Sequence, residues 1–383
     1  MQHYPMAAPA LPTRRSSRRW IMLALAVVIL AGGWTAVWFY AADRANQALA
    51  GWLEREARLG RVYGCGSQSL GGFPFRIEVR CREAVAELRT TQPAMSVRMA
   101  DILIAAQIYQ PTLLIGEWTG PVVFAESGQT PKAAADWTLA QTSVRGNPRS
   151  PERISIVFEN PVVDRFVSGA PERFASGRRA EIHARMASGN ARERPVVDLA
   201  LRLMAMAAPG LHPLAAGATD ADIDATLQGL KDLSPKPWNV RFREIQQSGG
   251  RIEIRSSRVA QGEWLAVGAG SLGISANGRL DGQLRVTVAG LEKLLQQLGV
   301  EYLNRPGGGS DKLNSAIGAL DRLMPGLGQV ARESAAPALA AGVALLGEPA
   351  ELEGKRAVTL PLRFEDGRIY LGRIAVGQTP ALF

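Results

Sequence analysis

The chain has 383 residues, 46% of them hydrophobic and 21% charged, with a formal net charge of +9 and two cysteines. Such a composition excludes a disordered chain and suits one long domain or two smaller ones. The positive excess would ordinarily point to an anionic partner, but Arg14, Arg15, Arg18 and Arg19 account for four charges in one stretch, and the rest follows a general richness in Ala, Gly and Arg.

Residues 1–19 read as a cytoplasmic tail. Residues 20–40, WIMLALAVVILAGGWTAVWFY, carry no charge and match the roughly 20 apolar residues that cross a bilayer as a helix. Trp20 at one end and Trp34, Trp38 and Tyr40 at the other suit the two interfaces, and the preceding arginines stay cytoplasmic by the positive-inside rule. The alternative is a cleaved signal peptide, whose apolar run is shorter and ends in small residues where Trp38, Phe39 and Tyr40 stand here. An uncleaved single-pass inner-membrane anchor with a periplasmic domain over residues 61–383 is therefore predicted. Residues 41–60 continue as a juxtamembrane helix, with Ala45, Leu49, Trp52, Leu53 and Leu59 tending to one face and Gly60 ending it.

Residues 64–81, GCGSQSLGGFPFRIEVRC, hold both cysteines. Export permits a disulfide, and two cysteines without CxxC or metal-ligand spacing read as one structural bridge, Cys65 to Cys81; a pair of buried free thiols is the alternative. The two sit symmetrically about Phe73. Gly71 and Gly72 give the backbone freedom for a reversal, and Pro74 belongs in the turn or at an edge. After it Phe75, Ile77, Val79 and Cys81 alternate with Arg76, Glu78, Arg80 and Arg82, the period of a half-buried strand.

The same period recurs downstream. Ile154, Ile156 and Phe158 alternate with polar neighbours, as do Ile252 and Ile254, then Leu284, Val286 and Val288, then Val358, Leu360, Leu362 and Phe364. Turn sequences such as SGGR, ANGR and EDGR separate them. Helical spacing is confined to 291–298, 311–324 and an Ala-rich segment at 337–346, which interrupt the sheet. The predicted fold is mainly β with some α: an elongated, curved antiparallel sheet with a few covering helices, preceded by one transmembrane helix.

Catalytic signatures are missing. There is no GxSxG elbow, Walker A loop, dinucleotide fingerprint or HExxH helix. DADID at 220–224 imitates the start of a calcium loop but has Ala225 in place of the glycine and Lys231 in place of the terminal glutamate, so a strand through Ile223, Ala225 and Leu227 is the better reading. His183 and His212 have no second ligand at useful spacing, and His3 is cytoplasmic. A non-enzymatic protein without cofactor, metal or nucleic-acid partner is expected.

The GFPFR turn, Gly72, Phe73, Pro74, Phe75 and Arg76, with LPLRFEDGRIYLGRIAVG near the C-terminus and GSLGISANGRLDGQLRVTVAG mid-chain, resembles the domain of unknown function 2125 family, envelope proteins of Gram-negative bacteria. The turn is more distantly similar to one in AsmA-like proteins, which implies a membrane-anchored, groove-shaped β-rich protein handling lipids or outer-membrane assembly. Many one-sided strands must bury their apolar faces against helices, another sheet or a ligand. A groove would be lined by Ile77, Val79, Ile252, Ile254, Leu284, Val286 and Val288. Two readings follow: a carrier or binder of lipid or another amphipath in envelope maintenance, with acyl chains as ligand, or a scaffold or assembly factor with a packed core whose outer face recognises an envelope protein or cell-wall polymer. An enzyme of unrecognised type is a third.

Overall fold

The structure is a computed structural model that describes residues 17–147, 150–211, 213–234, 236–294, 297 and 347–383. The chain enters as α1 (Ser17–Arg58), a single helix of 42 residues. The span and the juxtamembrane helix expected from sequence are thus one element with no break near residue 40. It is long and apolar enough to cross a membrane, and its apolar stretch is not buried by the rest of the protein. At its end Leu59 N donates to the carbonyls of Arg55 and Glu56, and Gly60 N to that of Ala57. Gly60 has a φ of +76°, where a Cβ would meet the Thr90 methyl, so glycine is required there.

An antiparallel sheet occupies the remainder. β1 (Arg61–Gly71), β2 (Arg76–Leu88), β3 (Met95–Gln107) and β4 (Gln110–Glu126) form a meander. The sheet then forks. The second half of β4 pairs with β5 (Pro131–Asp136) and the first half with β6 (Leu139–Asn147). β6 leads to β7 (Ser150–Glu159), while β5 pairs with β8 (Val162–Val167), which pairs with β9 (Ala170–Ser176). The main row continues from β7 to β10 (Arg179–Asn190) and β11 (Glu193–Met206), and a bridge between Ser176 and Ala207 returns the side branch to it.

β12 (Thr219–Leu227) follows β11, so DADID is a strand. Its aspartates alternate away from Ala221 and Ala225, which are buried. Helix α2 (Trp238–Gln247) comes next, then β13 (Arg251–Gln261), β14 (Trp264–Ile274) and β15 (Leu280–Ala289). β16 (Glu348–Leu352) and β17 (Lys355–Glu365) form a hairpin, and β17 pairs directly with β15. The segment between them is therefore an insertion between neighbouring strands, as the sequence pattern implies. β18 (Arg368–Leu371) and β19 (Ile374–Gln378) close the chain. The helices predicted at 311–324 and 337–346 lie outside the described residues. Of the one predicted at 291–298, residues 291–294 and 297 are described and helical.

The helix α2 is absent from the sequence expectation, because WNVRFREIQQ has too few apolar residues to announce a helical stripe. It is held by tertiary contacts. Ile245 packs with Val197 and Leu230, with Phe242 against them. The buried carboxylate of Glu244 accepts from Lys231 N, from Lys236 Nζ at 2.8 Å and from Arg241 Nη1 at 3.0 Å. A buried carboxylate satisfied in this way removes the cost that an unpaired one would impose.

Candidate functional site

Two features converge at the start of the sheet: a turn locked onto the apolar helix, and an apolar face that begins at that turn. The turn spans residues 72–75 between β1 and β2. Arg76 N donates to Gly72 O at 3.0 Å. Gly72 has a φ of +94°, and a Cβ there would lie 2.6 Å from the Arg76 carbonyl oxygen, so no other residue fits without distortion. Trp34 Nε1 donates to Pro74 O at 2.8 Å and Trp38 Nε1 to Arg76 O at 2.9 Å. The Trp38 ring meets Phe73 edge to face with centroids 5.5 Å apart, and Trp34 tilts against Phe75 at 6.4 Å. Farther along α1, Trp52 stacks on Tyr63 at 5.0 Å, and Arg61 pairs with Glu56. The first hairpin thus runs back along the helix, towards its apolar part.

Cys65 and Cys81 are joined, with Cα atoms 5.4 Å apart, and no free cysteine remains. The expected symmetry about Phe73 is displaced. The ladder sets Gln68 opposite Cys81 and Cys65 opposite Ala84, so the reversal centres between Pro74 and Phe75 and the bridge runs diagonally across the hairpin. The reason is the closure of the loop between Gly72 and Arg76, which places Pro74 and Phe75 in the turn rather than starting the strand at Phe75.

Register then extends one mostly apolar face across thirteen strands. One cross-strand row runs Leu70, Val79, Ile104, Gly116, Thr142, Ile156, Ile182, Leu201, Ile223, Ser257, Gly268, Val286, Leu360. The adjacent row starts at Ile77 and passes through Ala106, Leu114, Val144, Ile154, Ala184, Leu199, Ala225, Ile254, Gly270 and Leu284 to Leu362. Val288 and Ile252 fall in the flanking rows of the same face. At about 4.8 Å per strand the rows reach about 58 Å. All seven apolar residues singled out from sequence therefore share one face, although they come from strands far apart in the chain.

They do not share one environment. Val288 is 3% exposed in a packed cluster with Leu291, Leu360 and Leu371, and Val286 packs against that cluster. Of these two positions, expected along a groove, Val288 is core and Val286 is half-buried at its edge, because Leu291 and Leu371 pack there with Leu360 of the neighbouring strand. Nearer the N-terminal end the face is more open: Ile104 is 39% and Ile182 47% exposed. Helix α1 lies on β1 and β2, and α2 brings Ile245 and Phe242 into a cluster with Val197, Ala184, Leu199 and Leu227, which covers the middle of the face.

The opposite face is polar. On it the Asp198 carboxylate accepts from Arg185 at 2.6 Å, Arg255 at 2.7 Å and the Thr226 hydroxyl at 2.8 Å. The bonds from Arg185, Thr226 and Arg255 hold that carboxyl well below the usual range. Arg145, Arg153 and Arg185 are consecutive cross-strand neighbours, a like-charge arrangement that costs stability. His183 sits on this face with Nε2 2.9 Å from Glu181; His212 and His3 lie outside the described residues. An open hollow of about 700 Å³ beside Arg251, Glu253, Ser271 and Gln283 has charges of both signs on its walls. Among the described residues no three His, Cys, Asp or Glu side chains converge to hold a metal ion.

A family model described as "Uncharacterized protein conserved in bacteria (DUF2125)" matches residues 38–380. The chain belongs to this family. The match takes in Trp38, the GFPFR turn, both cysteines and every described strand. No curated protein matches the chain. The family carries no described activity, so the functional reading rests on the geometry.

Proposed function

We propose that this protein is a membrane-anchored, non-enzymatic binder of lipid or another amphipath, with the acyl chain lying along the apolar face of the sheet, and that it serves cell-envelope maintenance. The observation carrying this reading is the mostly apolar face that starts at the hairpin locked to α1, is interrupted by Thr142 and Ser257, and remains partly open at Ile104 and Ile182. A face of that kind, beside a helix fit to cross a bilayer, offers an acyl chain a path with no polar step at its start. The arginines before the span favour a cytoplasmic N-terminus and a periplasmic domain in the inner membrane. The Cys65–Cys81 bridge suits the oxidising compartment this requires.

The test is extraction of the full chain in native bilayer patches, followed by mass spectrometry of lipids retained after transfer to a mild detergent. Ile104→Glu and Ile182→Glu stay folded, because water reaches both positions, and lose the retained lipid. A parent protein that carries none, or folded variants with undiminished lipid, refutes the carrier. The packed cluster around Val288 favours a second reading, a scaffold or assembly factor that contacts envelope proteins through its outer face.

A further inference from the structure

We infer that the turn at residues 72–75, together with the neighbouring turn at Tyr109, is a second membrane contact that enters the bilayer interface beside α1 and sets the sheet's first strands on the membrane surface. This rests on the reading of α1 as a membrane span and is independent of any lipid bound along the sheet.

Depth is the first argument. Arg18 and Arg19 hold the start of the span at one interface. At about 1.5 Å per residue, Trp34 lies about 21 Å and Trp38 about 27 Å from Trp20, against a hydrocarbon thickness of about 30 Å. The Trp38 indole therefore lies about 3 Å and the Trp34 indole about 9 Å short of the far edge of the hydrocarbon, and the Arg76 and Pro74 carbonyls that accept from them lie at those depths. No rearrangement of the domain is needed to bring the turn there.

The surface of the turn is the second argument. Phe73 is 52% and Phe75 62% exposed although each touches a helix tryptophan. Ile108 N donates to Phe75 O at 3.1 Å, which seats the β3–β4 turn alongside, and there Tyr109 is 69% exposed. Three exposed aromatic rings thus lie on two turns joined by a backbone bond, and Phe39, also exposed, touches the same Trp38 ring that Phe73 meets. Aromatic side chains in an interface belong at the headgroup level.

Backbone satisfaction is the third. The carbonyls of residues 72, 74, 75 and 76 accept from Arg76 N, Trp34 Nε1, Ile108 N and Trp38 Nε1 respectively, and Pro74 has no N–H to satisfy. A turn exposed only to water needs no such pairing; one beside hydrocarbon does. Arg76, with its side chain 62% exposed and paired to Glu78, is placed to reach headgroups while its stem covers apolar surface.

The experiment uses single-cysteine labelling. Both native cysteines are in the bridge, so an added thiol is the one that reacts without reductant. An environment-sensitive fluorophore is attached at Phe75→Cys, at Tyr109→Cys, at Val28→Cys in the span and at Val167→Cys on the β8–β9 hairpin, in the full chain reconstituted into phosphatidylglycerol–phosphatidylethanolamine vesicles. Positions 75 and 109 are expected to show blue-shifted emission and stronger quenching by nitroxide near the headgroup than by nitroxide deep in the acyl region or by iodide in water. Position 28 is quenched most by the deep nitroxide and position 167 by iodide. If 28 reports lipid while 75 and 109 behave like 167, or are shielded from every quencher by a protein partner, the inference fails alone. If 28 also reports water, the span reading and the inference fail together.

Discussion

The indole Nε1 of Trp38 donates to the main-chain carbonyl of Arg76 at 2.9 Å, across 38 residues of sequence. This bond and the edge-to-face contact with Phe73 leave Trp38 only 5% exposed at the end of an apolar stretch that is mostly uncovered. Trp38→Phe removes the donor and keeps most of the ring, so it lowers stability by about 1 kcal/mol. Trp38→Ala removes both and costs about 3 kcal/mol. Thermal unfolding of the detergent-solubilised chain, read on the β signal, ranks the two; a Phe variant as stable as the parent would mean that the hydrogen bond contributes nothing, and equal losses that the ring packing adds nothing to it.

Gly72 and Gly71 differ sharply despite adjacency. A Cβ at Gly72 meets the Arg76 carbonyl at 2.6 Å with φ at +94°, whereas nothing lies within 4 Å at Gly71. Gly72→Ala destabilises by roughly 1–3 kcal/mol, and Gly71→Ala stays within about 0.5 kcal/mol of the parent. Denaturant titration of both variants checks the contrast.

Intact-mass measurement after alkylation without reductant finds neither Cys65 nor Cys81 modified in the folded protein. The paired substitution of both cysteines by serine lowers stability by about 3 kcal/mol in the chain-entropy model for a loop of this length. Two labelled thiols in freshly isolated material would contradict the bridge.

Acid stability reports on Asp198. Its carboxyl is held below the ordinary value by Arg185, Thr226 and Arg255. The unfolded chain takes up a proton near pH 3.9 while the folded chain does not, so this stabilisation is full above that value and is lost as pH falls below it. Asp198→Asn therefore lowers stability at neutral pH and makes its fall below about pH 4 shallower. Urea titrations at pH 7, 4 and 3 measure the slope; an unchanged slope rejects the assignment.

Val288→Glu places a carboxylate in a packed cluster and costs several kcal/mol, so the variant misfolds or is degraded. Ile182→Glu on the same face is tolerated because nearly half of that side chain is already exposed. Expression and unfolding midpoints of the two separate packed from open parts of one face.

Much was legible in the residues themselves. The uncharged run at 20–40 announced a helix fit to span a bilayer because chain length and apolarity alone decide that. Period-two alternation identified the strands around Ile154, Ile254, Val286 and Leu360, since a one-sided sheet must alternate. The GFPFR turn and the cysteine pair were also visible, being local in sequence. Tertiary structure decided the rest. Alternation says that Val79 and Val286 each have an apolar side, but only the register of eleven strands places them in one row, and only packing by Leu291 and Leu371 makes one end of that face a core while Ile104 and Ile182 stay open. The helix α2, poor in apolar residues, forms where Val197 and Leu230 await Ile245 and where Lys236 and Arg241 neutralise Glu244. Trp34 and Trp38 read as interface residues of a span, yet their donors are aimed at a turn 40 and 38 residues away. Contacts of that reach depend on how the chain returns to itself, a relation that neither composition nor local spacing carries.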